Sequence, residues 1–540
     1  LSLGPFANWP NWLFTIEQEW PSLAWYRQTG DLAVMLVTLD SSLPKPLYIQ
    51  IREQLRERIV SGGLKPGDRL EPSRELAKHL GVHRTTVGNA YAELEAEGLI
   101  QGNVGRGTYV TTLAEGLRST VRAPRPAGND VFWESYFPED LRDDSLGRLM
   151  ASAYEAGVIS FATAHGADEM TPHDLVRRAT DSVLRREGGR VLQYGSSDGY
   201  LPLKNYLRAR LQRDGIPVEL DELVITNGCQ QSIDLLRRTL VAPGDAVVSE
   251  NPTYTGLWNV FESPSTRLIG IPVTAEGMDL DFLAAVLEQT KVRLILTSPN
   301  FQNPTGHTMP LAARKRLLEL AARFQVPVVE DDIYGALRYS GRQLPPLKAL
   351  DTTGLVIHLN SFSKVGFPGL RVGWIAASRR VIDRLRCAKQ RADLHTNLLG
   401  QAVLEELGRR GWLDKWIRRT CKVYEHKLEV LRQAAQRHFP EAVRLVFPEG
   451  GMSVWAELPP QLDTAELLMK ARERGVIFAP SKYFYFQNPK HNALRLCFSG
   501  PTDGQIEKGI TILGDLLKAE IRKAKTGRKR STEGAGVALV

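Results

Sequence analysis

The sequence has few cysteines and no long apolar run. Its 540 residues contain four cysteines, with no CxxC spacing and no Cys/His cluster. This argues against a zinc site and a disulfide framework, and it fits a reducing cytoplasm. No run approaches the roughly 18 apolar residues of a membrane span, and no signal-peptide pattern is evident. We therefore expect a cytoplasmic protein without a metal site or a membrane anchor.

Neither sign of charge dominates the chain. It has 69 Lys and Arg against 61 Asp and Glu, a formal net charge of +8. This mildly basic balance suits nucleic acid or anionic ligands without requiring either. The length exceeds what a single core usually organises, so two or more domains are expected.

Residues 1–40 show no clear periodicity and hold four tryptophans, Trp9, Trp12, Trp20 and Trp25. Two interpretations remain open for this predicted N-terminal extension. It is either not native structure, with Met35 as the true start, or a short aromatic anchor for another domain.

Residues 41–112 form a first predicted module. Leu47, Ile51, Leu55 and Ile59 recur every four residues and give one apolar helical stripe. A short helix, a break at Gly81 and a third helix follow, and then "LIQGNVGRGTYV" reads as two strands around a Gly-rich turn. This order is typical of a winged helix-turn-helix.

The third helix of this module would begin with "HRTT", where side chains can reach DNA. Arg84 can donate two hydrogen bonds to guanine, and Thr85 and Thr86 suit phosphate oxygens. Arg106, between two glycines, could enter a minor groove. Ten Lys and Arg against eight Asp and Glu from Lys45 to Thr112 do not by themselves indicate DNA, so a protein-binding module is the alternative.

The module closely resembles the winged-helix domain of the GntR family of bacterial regulators. "GGLKPGDRL", "SRELAKHLGVHRTTV", "AYAELEAEGLI" and "GRGTYV" occur in the family order. The resemblance implies double-stranded DNA as a partner and DNA contacts at Arg74, Arg84, Thr85, Thr86 and Gly107. The chain departs from the family pattern at Glu71, His83 and Asn89, which puts sequence preference and phosphate contacts in question.

Two segments are predicted to lie outside the folded modules. Residues 113–135 are polar and rich in proline, which favours an interdomain linker over a surface loop. Residues 521–540 are basic and then small and polar, which predicts a disordered tail. Non-specific DNA contact by this tail is the alternative.

Residues 136–520 form a second predicted module. Short β-branched runs such as "DELVIT", "RLILTSP" and "LVIHLNS" alternate with helical segments, including 230–240 and 311–324. The alternation predicts an α/β domain with a mostly parallel sheet. Ligands gather at the carboxyl ends of strands in such sheets.

Four polar clusters lie at predicted strand ends: "TNGCQQ", "NFQNPTG", "VVEDDIYGAL" and "SFSKVGFPGLR". Together they offer an amine in Lys364, a carboxylate in Asp331, an amide in Asn303 and a phenol in Tyr334, beside a helix start suited to a phosphate. Pyridoxal phosphate needs this set, because lysine can bond its aldehyde and a carboxylate can hold its ring nitrogen protonated. Each cluster alone is weak, and their shared placement carries the inference.

The second module resembles a fold-type I, aspartate-aminotransferase-like domain. "YGSSDGYLPL", "ENPTY" and "NALRLCFS" are further matches. The resemblance implies that Lys364 bonds the cofactor and that Asp331 meets the ring nitrogen. It gives the other cofactor contacts to Asn303, Tyr334, Tyr254, Gly228, Cys229, Gln230, Ser361, Ser363 and Arg371. It also implies that Tyr194 comes from a neighbouring subunit and that Arg495 holds a ligand carboxylate.

One segment departs from the aminotransferase pattern. Thr163-Ala164-His165-Gly166 stands where the family usually has Gly-Gly-x-Pro. This segment approaches the substrate in the family, so the departure concerns the ligand pocket more than the cofactor. His165 is either a pocket residue or a loop side chain.

Together the two modules resemble the MocR/GabR subfamily of GntR-type regulators. The resemblance implies a transcription regulator that senses pyridoxal phosphate, an amine or an amino acid, and that forms a head-to-tail homodimer, nucleoid-associated when bound to DNA. A working aminotransferase with a DNA-binding module is the alternative, and half-reactions of transamination fit either interpretation. An inert dimerisation scaffold is a third, weaker interpretation.

Overall fold

A computed structural model describes residues 37–40, 45–61, 63–103, 107–111, 155, 157–167, 170–262 and 266–534. The chain divides between residues 136 and 137 into two compact units. The predicted linker at 113–135, Arg106, and all of the N-terminal extension except residues 37–40 lie outside the described residues. The placement of the boundaries at 41, 112, 135 and 520 therefore stays a prediction.

The first unit is the predicted winged helix-turn-helix. Its helices are α1 (Leu47–Ser61), α2 (Ser73–Leu80) and α3 (Arg84–Ala96), and its strands are β1 (Arg69–Leu70), β2 (Ile100–Asn103) and β3 (Gly107–Val110). The strands form an antiparallel sheet in the order β1-β3-β2.

The core of the first unit lies between the helices. Ile51, Leu55 and Ile59 of the predicted α1 stripe are fully buried, and they pack in one cluster with the inward side of α3. Gly81 ends α2 with φ +66°, and its N–H donates to the carbonyl of Ala77. This left-handed backbone conformation favours glycine, and it lets the chain turn directly from α2 into α3.

The second unit is built on an eight-stranded sheet in the order β5-β12-β11-β10-β9-β6-β7-β8. The strands are β5 (Leu223–Thr226), β6 (Ala246–Asn251), β7 (Arg267–Thr274), β8 (Gly277–Met278), β9 (Val292–Thr297), β10 (Val328–Asp331), β11 (Val356–Ser361) and β12 (Gly373–Ala376). Strand β12 is antiparallel to both neighbours and β8 is antiparallel to β7, whereas the other pairs are parallel. The predicted mostly parallel sheet is confirmed.

Helices precede, separate and follow these strands along the chain. They are α4 (His173–Glu187), α5 (Leu201–Arg213), α6 (Cys229–Leu240), α7 (Thr255–Phe261), α8 (Leu280–Gln289), α9 (Leu311–Phe324), α10 (Leu347–Leu350), α11 (Arg379–Asp393), α12 (Leu398–Arg409) and α13 (Trp412–His438). The predicted helices at 230–240 and 311–324 correspond to α6 and α9. Most strands of the sheet are buried on both sides, which explains their continuous apolar runs.

The C-terminal part adds a smaller antiparallel sheet in the order β13-β14-β17-β16. Its strands are β13 (Arg444–Val446), β14 (Ser453–Glu457), β16 (Ala479–Pro480) and β17 (Ala493–Cys497). Strand β15 (Val476–Ile477) pairs in parallel with β4 (Ile159–Ser160). Helix α14 (Thr464–Arg472) also belongs to this part.

The last helix, α15, runs over Asp503–Gly534. Residues 521–534 are therefore helical, whereas the sequence predicted a disordered tail from residue 521. The apolar stripe of Ile510, Leu513 and Leu517 continues to Ile521, which is 9% exposed. This packing carries the helix past the end of the predicted domain.

Within the described ranges, none of the helices has the length and apolar character of a membrane span. The same residues contain no group of three or more His, Cys, Asp or Glu side chains arranged to hold a metal ion.

Candidate functional site

The four predicted clusters meet around one cavity of about 390 Å³ in the second unit. Their side chains arrive from the carboxyl ends of β9, β10 and β11, from the start of α6, and from β17. Eleven of the thirteen predicted cofactor and ligand residues line it: Cys229, Gln230, Tyr254, Asn303, Asp331, Tyr334, Ser361, Ser363, Lys364, Arg371 and Arg495. The sequence prediction of a shared strand-end site is met for these residues, while their individual roles remain predictions.

Lys364 follows β11 and places its amine in this cavity. Its Nζ donates to the carbonyl of Ala164 over 2.9 Å and lies 5.9 Å from the centre of the Tyr334 ring. Burial lowers the pKa of Lys364, because the charged ammonium loses its hydration. A lysine of lowered pKa is more often the neutral amine that attacks a carbonyl carbon.

Asp331 ends β10 and is 4% exposed. Its Oδ1 is buried and has no hydrogen-bond partner among the described residues. Burial raises the pKa of Asp331 to about 7, and the neighbouring charge of Asp332 contributes to this rise. A buried carboxylate oxygen without a donor is costly, so this atom fits a group that brings its own N–H into the cavity.

Arg495 and Asn303 are joined across the cavity. Arg495 Nη1 donates to Asn303 Oδ1 over 2.7 Å, and Nη2 donates to the carbonyl of Ala162 over 2.6 Å. The Arg495 guanidinium also stacks on Phe484 at 4.8 Å, and its Nε has no partner among the described residues. Both terminal nitrogens of Arg495, the predicted carboxylate-binding residue, thus already have acceptors. A ligand carboxylate would have to replace these two oxygens.

The part of the cavity around Arg371 is suited to a phosphate. Arg371 approaches the start of α6, where its Nη2 donates to the carbonyl of Asn227 over 3.1 Å. Ser361 Oγ and Ser363 Oγ are 2.8 Å apart. Hydroxyls, a guanidinium and the first N–H groups of a helix of twelve residues are the donors that bind phosphate oxygens.

Gly228 precedes α6 and does not line the cavity itself. Its φ is +81°, and a Cβ there would lie 2.8 Å from Arg371 Nη2. Glycine is therefore required by the backbone conformation, and a Cβ would also displace the Arg371 guanidinium.

Tyr254 and Tyr194 differ in position. Tyr254 lines the cavity, with its OH 3.5 Å from Gln230 Oε1. Tyr194 is 83% exposed and lies outside the cavity of its own chain, with its ring 5.7 Å from that of His395.

Among the described residues, five more line the cavity without having been predicted from sequence: Thr255, Gly256, Asn259, Ile333 and Phe484. Thr163 and Ala164 also line it, and they belong to the segment that was expected to approach the substrate. Ala164 acts through its carbonyl oxygen, which any residue type supplies, so no side-chain signal could reveal it. His165 does not line this cavity, although its carbonyl accepts from Ser499 Oγ over 2.7 Å.

A larger cavity of about 690 Å³ shares only Ser361 with the first among its lining residues. Arg210 and Asp414 line it and pair over 2.8 Å. It contains neither Lys364 nor Asp331, so the chemistry of the four clusters points to the smaller cavity.

Four predicted DNA-contact residues of the first unit lie at its surface, whereas Arg106 is outside the described residues. Arg84, Thr85 and Thr86 are the first three residues of α3, and Arg74 is the second residue of α2. Arg74, Arg84 and Thr85 are exposed and Thr86 is partly exposed. Such helix N-terminal positions can reach a DNA groove, and their DNA contacts stay predictions.

Two of the departures from the GntR pattern have a structural role. His83 caps α3: its Nδ1 accepts from the N–H of Thr85 at 3.4 Å and lies 2.8 Å from Thr85 Oγ1. Histidine thus replaces the usual hydroxyl cap. Glu71 Oε1 lies 2.6 Å from His79 Nδ1 and so faces a neighbouring helix.

Gly107 opens β3 with φ +104°, and a Cβ there would lie 2.7 Å from Arg69 Nε. The wing therefore needs glycine at this position because of its backbone conformation, and a Cβ would also displace the Arg69 guanidinium. This explains Gly107 without a DNA contact.

Comparisons with known proteins agree with this division. Residues 160–513 match the model of aminotransferase class I and II, and residues 47–110 match that of bacterial regulatory proteins of the gntR family. The chain is 37% identical to aromatic-amino-acid aminotransferase 1 of Thermococcus litoralis, over 76% of this chain and 100% of the relative.

A regulator and a solved structure are also similar. The probable rhizopine catabolism regulatory protein MocR of Rhizobium meliloti is 29% identical over 88% of this chain and 95% of its own. LysN, an alpha-aminoadipate aminotransferase of Thermus thermophilus complexed with N-(5'-phosphopyridoxyl)-L-leucine, has a TM-score of 0.68 and 35% identity, covering 73% of this chain and 100% of that one. With both domains present in one chain, the protein belongs to the MocR group of gntR-type transcription regulators, in which a winged helix-turn-helix is fused to a domain of the pyridoxal-phosphate-dependent aminotransferase class I and II family.

Proposed function

We propose that the aminotransferase-like domain of this regulator binds pyridoxal phosphate and senses the cofactor, an amine or an amino acid. The observation that carries the proposal is the buried, unpartnered Asp331 Oδ1 in the same cavity as Lys364. Because the same chain contains a winged helix, ligand binding in this cavity can change how the protein binds DNA.

The residues of the cavity fit the cofactor. Pyridoxal phosphate supplies an electrophilic aldehyde and a ring that withdraws electrons from a bound amine. Lys364 is the amine that would bond this aldehyde, and the unpaired oxygen of Asp331 would accept the ring N–H. Arg371 and Ser363, with the start of α6, hold the phosphate.

The remaining cofactor contacts lie around the ring. Asn303 and Tyr334 would bind the ring oxygen, while Tyr254 would pack on the ring face. All three line the cavity, which supports these roles. Burial raises the pKa of Tyr334, so its phenol stays protonated and donates.

The effector enters beside Arg495 and the segment 163–166. The Arg495 guanidinium would give up its hydrogen bonds to Asn303 and Ala162 and bind the carboxylate of an amino acid instead, because its two terminal nitrogens match the two carboxylate oxygens. The amine of such an effector would compete with Lys364 for a bound cofactor. Such a ligand changes DNA binding only if it binds two states of the regulator unequally.

The regulator acts as a head-to-tail homodimer in the cytoplasm and is nucleoid-associated when bound to DNA. An exposed tyrosine outside its own cavity supports the dimer, because Tyr194 would be buried if it reached the cofactor of a second copy. Two winged helices then face paired half-sites on double-stranded DNA, with Arg74, Arg84, Thr85, Thr86 and Arg106 toward the duplex.

A second candidate function is a working aminotransferase. The identity of 37% to an aromatic-amino-acid aminotransferase, against 29% to MocR, favours retained chemistry. The cavity also contains an amine, a ring-nitrogen partner and a carboxylate clamp, which transamination requires.

Two measurements on the full chain separate these functions. Binding of its own promoter fragment is measured with and without pyridoxal phosphate and a panel of amino acids, and multiple-turnover transamination is measured with the same panel. The regulator proposal expects sequence-specific binding that changes with at least one ligand. Rapid turnover of many amino acids without specific DNA binding would overturn it and support the enzyme.

A further inference from the structure

The turn before α6 is fixed by a carboxylate from another helix. Asp393, the last residue of α11, accepts from Asn227 Nδ2 over 2.6 Å and from Gln231 Nε2 over 2.7 Å. Both hydrogen bonds reach the same oxygen, Oδ2. The two amides flank the first turn of α6, where the phosphate-binding N–H groups lie.

A buried lysine completes this arrangement. Lys389 Nζ lies 2.7 Å from Asp393 Oδ1 and 2.8 Å from Oδ2. The Lys389 side chain is fully buried, and the carboxylate is 17% exposed. Burial lowers the pKa of Lys389, while the Asp393 carboxylate raises it. Because a buried charge needs a partner, the lysine holds the carboxylate at this place.

The same turn is tied to the arginine of the cavity. The N–H of Asn227 donates to Gln231 Oε1 over 2.8 Å, and the carbonyl of Asn227 accepts from Arg371 Nη2 over 3.1 Å. Asp393 therefore fixes the side chain of Asn227, whose backbone in turn orients Arg371. The carboxylate reaches the phosphate donors through one intermediate residue and does not line the cavity.

We propose that Asp393 is a positioning residue for phosphate binding. It holds the start of α6 and Arg371 in the geometry that receives the phosphate of the cofactor. This inference rests on the proposed binding of pyridoxal phosphate. Its role is confined to the phosphate-binding residues, because its hydrogen bonds within the described part of the chain go to Asn227, Gln231 and Lys389.

The test compares pyridoxal phosphate with pyridoxal, which has the aldehyde and ring but no phosphate. Affinities of both for the cofactor-free full chain are measured by absorption titration in the wild type and in Asp393→Asn. We expect pyridoxal phosphate affinity to fall on the order of tenfold, because charge-assisted hydrogen bonds to both amides are weakened. The affinity for pyridoxal should stay within about twofold of the wild type, because pyridoxal has no phosphate to bind at Arg371 and the start of α6.

Asp383→Asn is the matched control. Asp383 lies on the same helix, is 53% exposed and pairs with arginines away from the turn. Its loss should change neither affinity. Equal weakening of both ligands in Asp393→Asn, or no weakening of either, would overturn the positioning role. A wild type that binds pyridoxal phosphate no better than pyridoxal would overturn it as well, and a wild type that binds neither would overturn the proposed function itself.

A second variant guards against loss of folding. If Asp393→Asn leaves Lys389 without a partner and unfolds the chain, Asn227→Ala with Gln231→Ala removes the other ends of the same hydrogen bonds. This double variant keeps the Lys389–Asp393 pair, and it should show the same phosphate-selective loss. Unchanged selectivity between the two ligands would overturn the proposal.

Discussion

Lys364 Nζ donates to the carbonyl of Ala164 over 2.9 Å, although the two residues are 200 positions apart in the chain. Ala164 belongs to the segment that departs from the aminotransferase pattern. The contact joins the amine to the segment 163–166, of which Thr163 and Ala164 also line the cavity.

Loss of this amine should abolish covalent attachment of the cofactor. We expect Lys364→Ala to lose the visible absorption band that pyridoxal phosphate gives on bonding an enzyme lysine. Affinity should fall by at least about tenfold. Lys315→Ala, an exposed lysine of α9, is the control and should behave as the wild type. Equal binding by wild type and Lys364→Ala would show that another residue anchors the cofactor.

Asp331 should make the cofactor-free protein less stable as pH rises. Its folded pKa of about 7 exceeds the ordinary value of 3.8, so the native state favours the protonated form. The stability that protonation provides is complete below about pH 4 and is lost between about pH 4 and 7. Asp331→Asn removes this loss, and it should raise the unfolding free energy at pH 8 by up to about 4 kcal/mol.

The same substitution should weaken cofactor binding, since the amide cannot balance a protonated ring nitrogen. Thermal unfolding of the cofactor-free chain at pH 5 and pH 8 measures the first effect, and titration with pyridoxal phosphate measures the second. Asp351→Asn is the control. Burial raises the pKa of Asp351, but hydrogen bonds from backbone N–H groups and from Thr353 outweigh this effect and lower the pKa. Loss of the Asp351 carboxylate should therefore lower the unfolding free energy of the chain at pH 8. A less stable Asp331→Asn at pH 8 would contradict the burial argument.

Substitution of Gly228 and of Gly244 should show how much of the cost of a side chain comes from backbone strain and how much from contact with Arg371. Gly244 has φ +88° and no atom within 4 Å of the place that a Cβ would take, whereas a Cβ at Gly228 would meet Arg371. Gly244→Ala should cost about 1 kcal/mol of unfolding free energy. Gly228→Ala should cost more and should also weaken pyridoxal phosphate binding, because Arg371 must move. Equal costs in denaturant unfolding and equal cofactor affinities would show that the arginine adapts freely.

Arg84 should affect DNA binding alone. Arg84→Ala is expected to weaken specific promoter binding by about 1–3 kcal/mol in an equilibrium binding assay. Cofactor uptake should not change, because Arg84 belongs to the first unit. Arg56→Ala removes an exposed arginine of α1 that pairs with Glu97, and it serves as the matched control for charge. Loss of both DNA and cofactor binding in Arg84→Ala would indicate a folding defect.

Much of the fold was predictable because helices, strands and turns leave local patterns in the sequence. The α1 stripe, Gly81 and the third helix determined the winged helix, and continuous apolar runs predicted the strands of the parallel sheet. Residues 521–534 were predicted wrongly. Charge composition indicated a disordered tail from residue 521, but α15 runs to Gly534, and Ile521 is still buried on the domain.

The sequence by itself determined which chemical groups the chain offers. Lys364, Asp331, Asn303 and Arg371 were identified from residue type and from their places after predicted strands. Only the tertiary structure decided that Asp331 Oδ1 lacks a donor among the described residues, that Ala164 holds the lysine, and that Asp393 fixes the turn at Asn227. These relationships depend on distance and burial between remote segments. They involve backbone carbonyls and ordinary polar side chains, so residue type alone carries no signal of them.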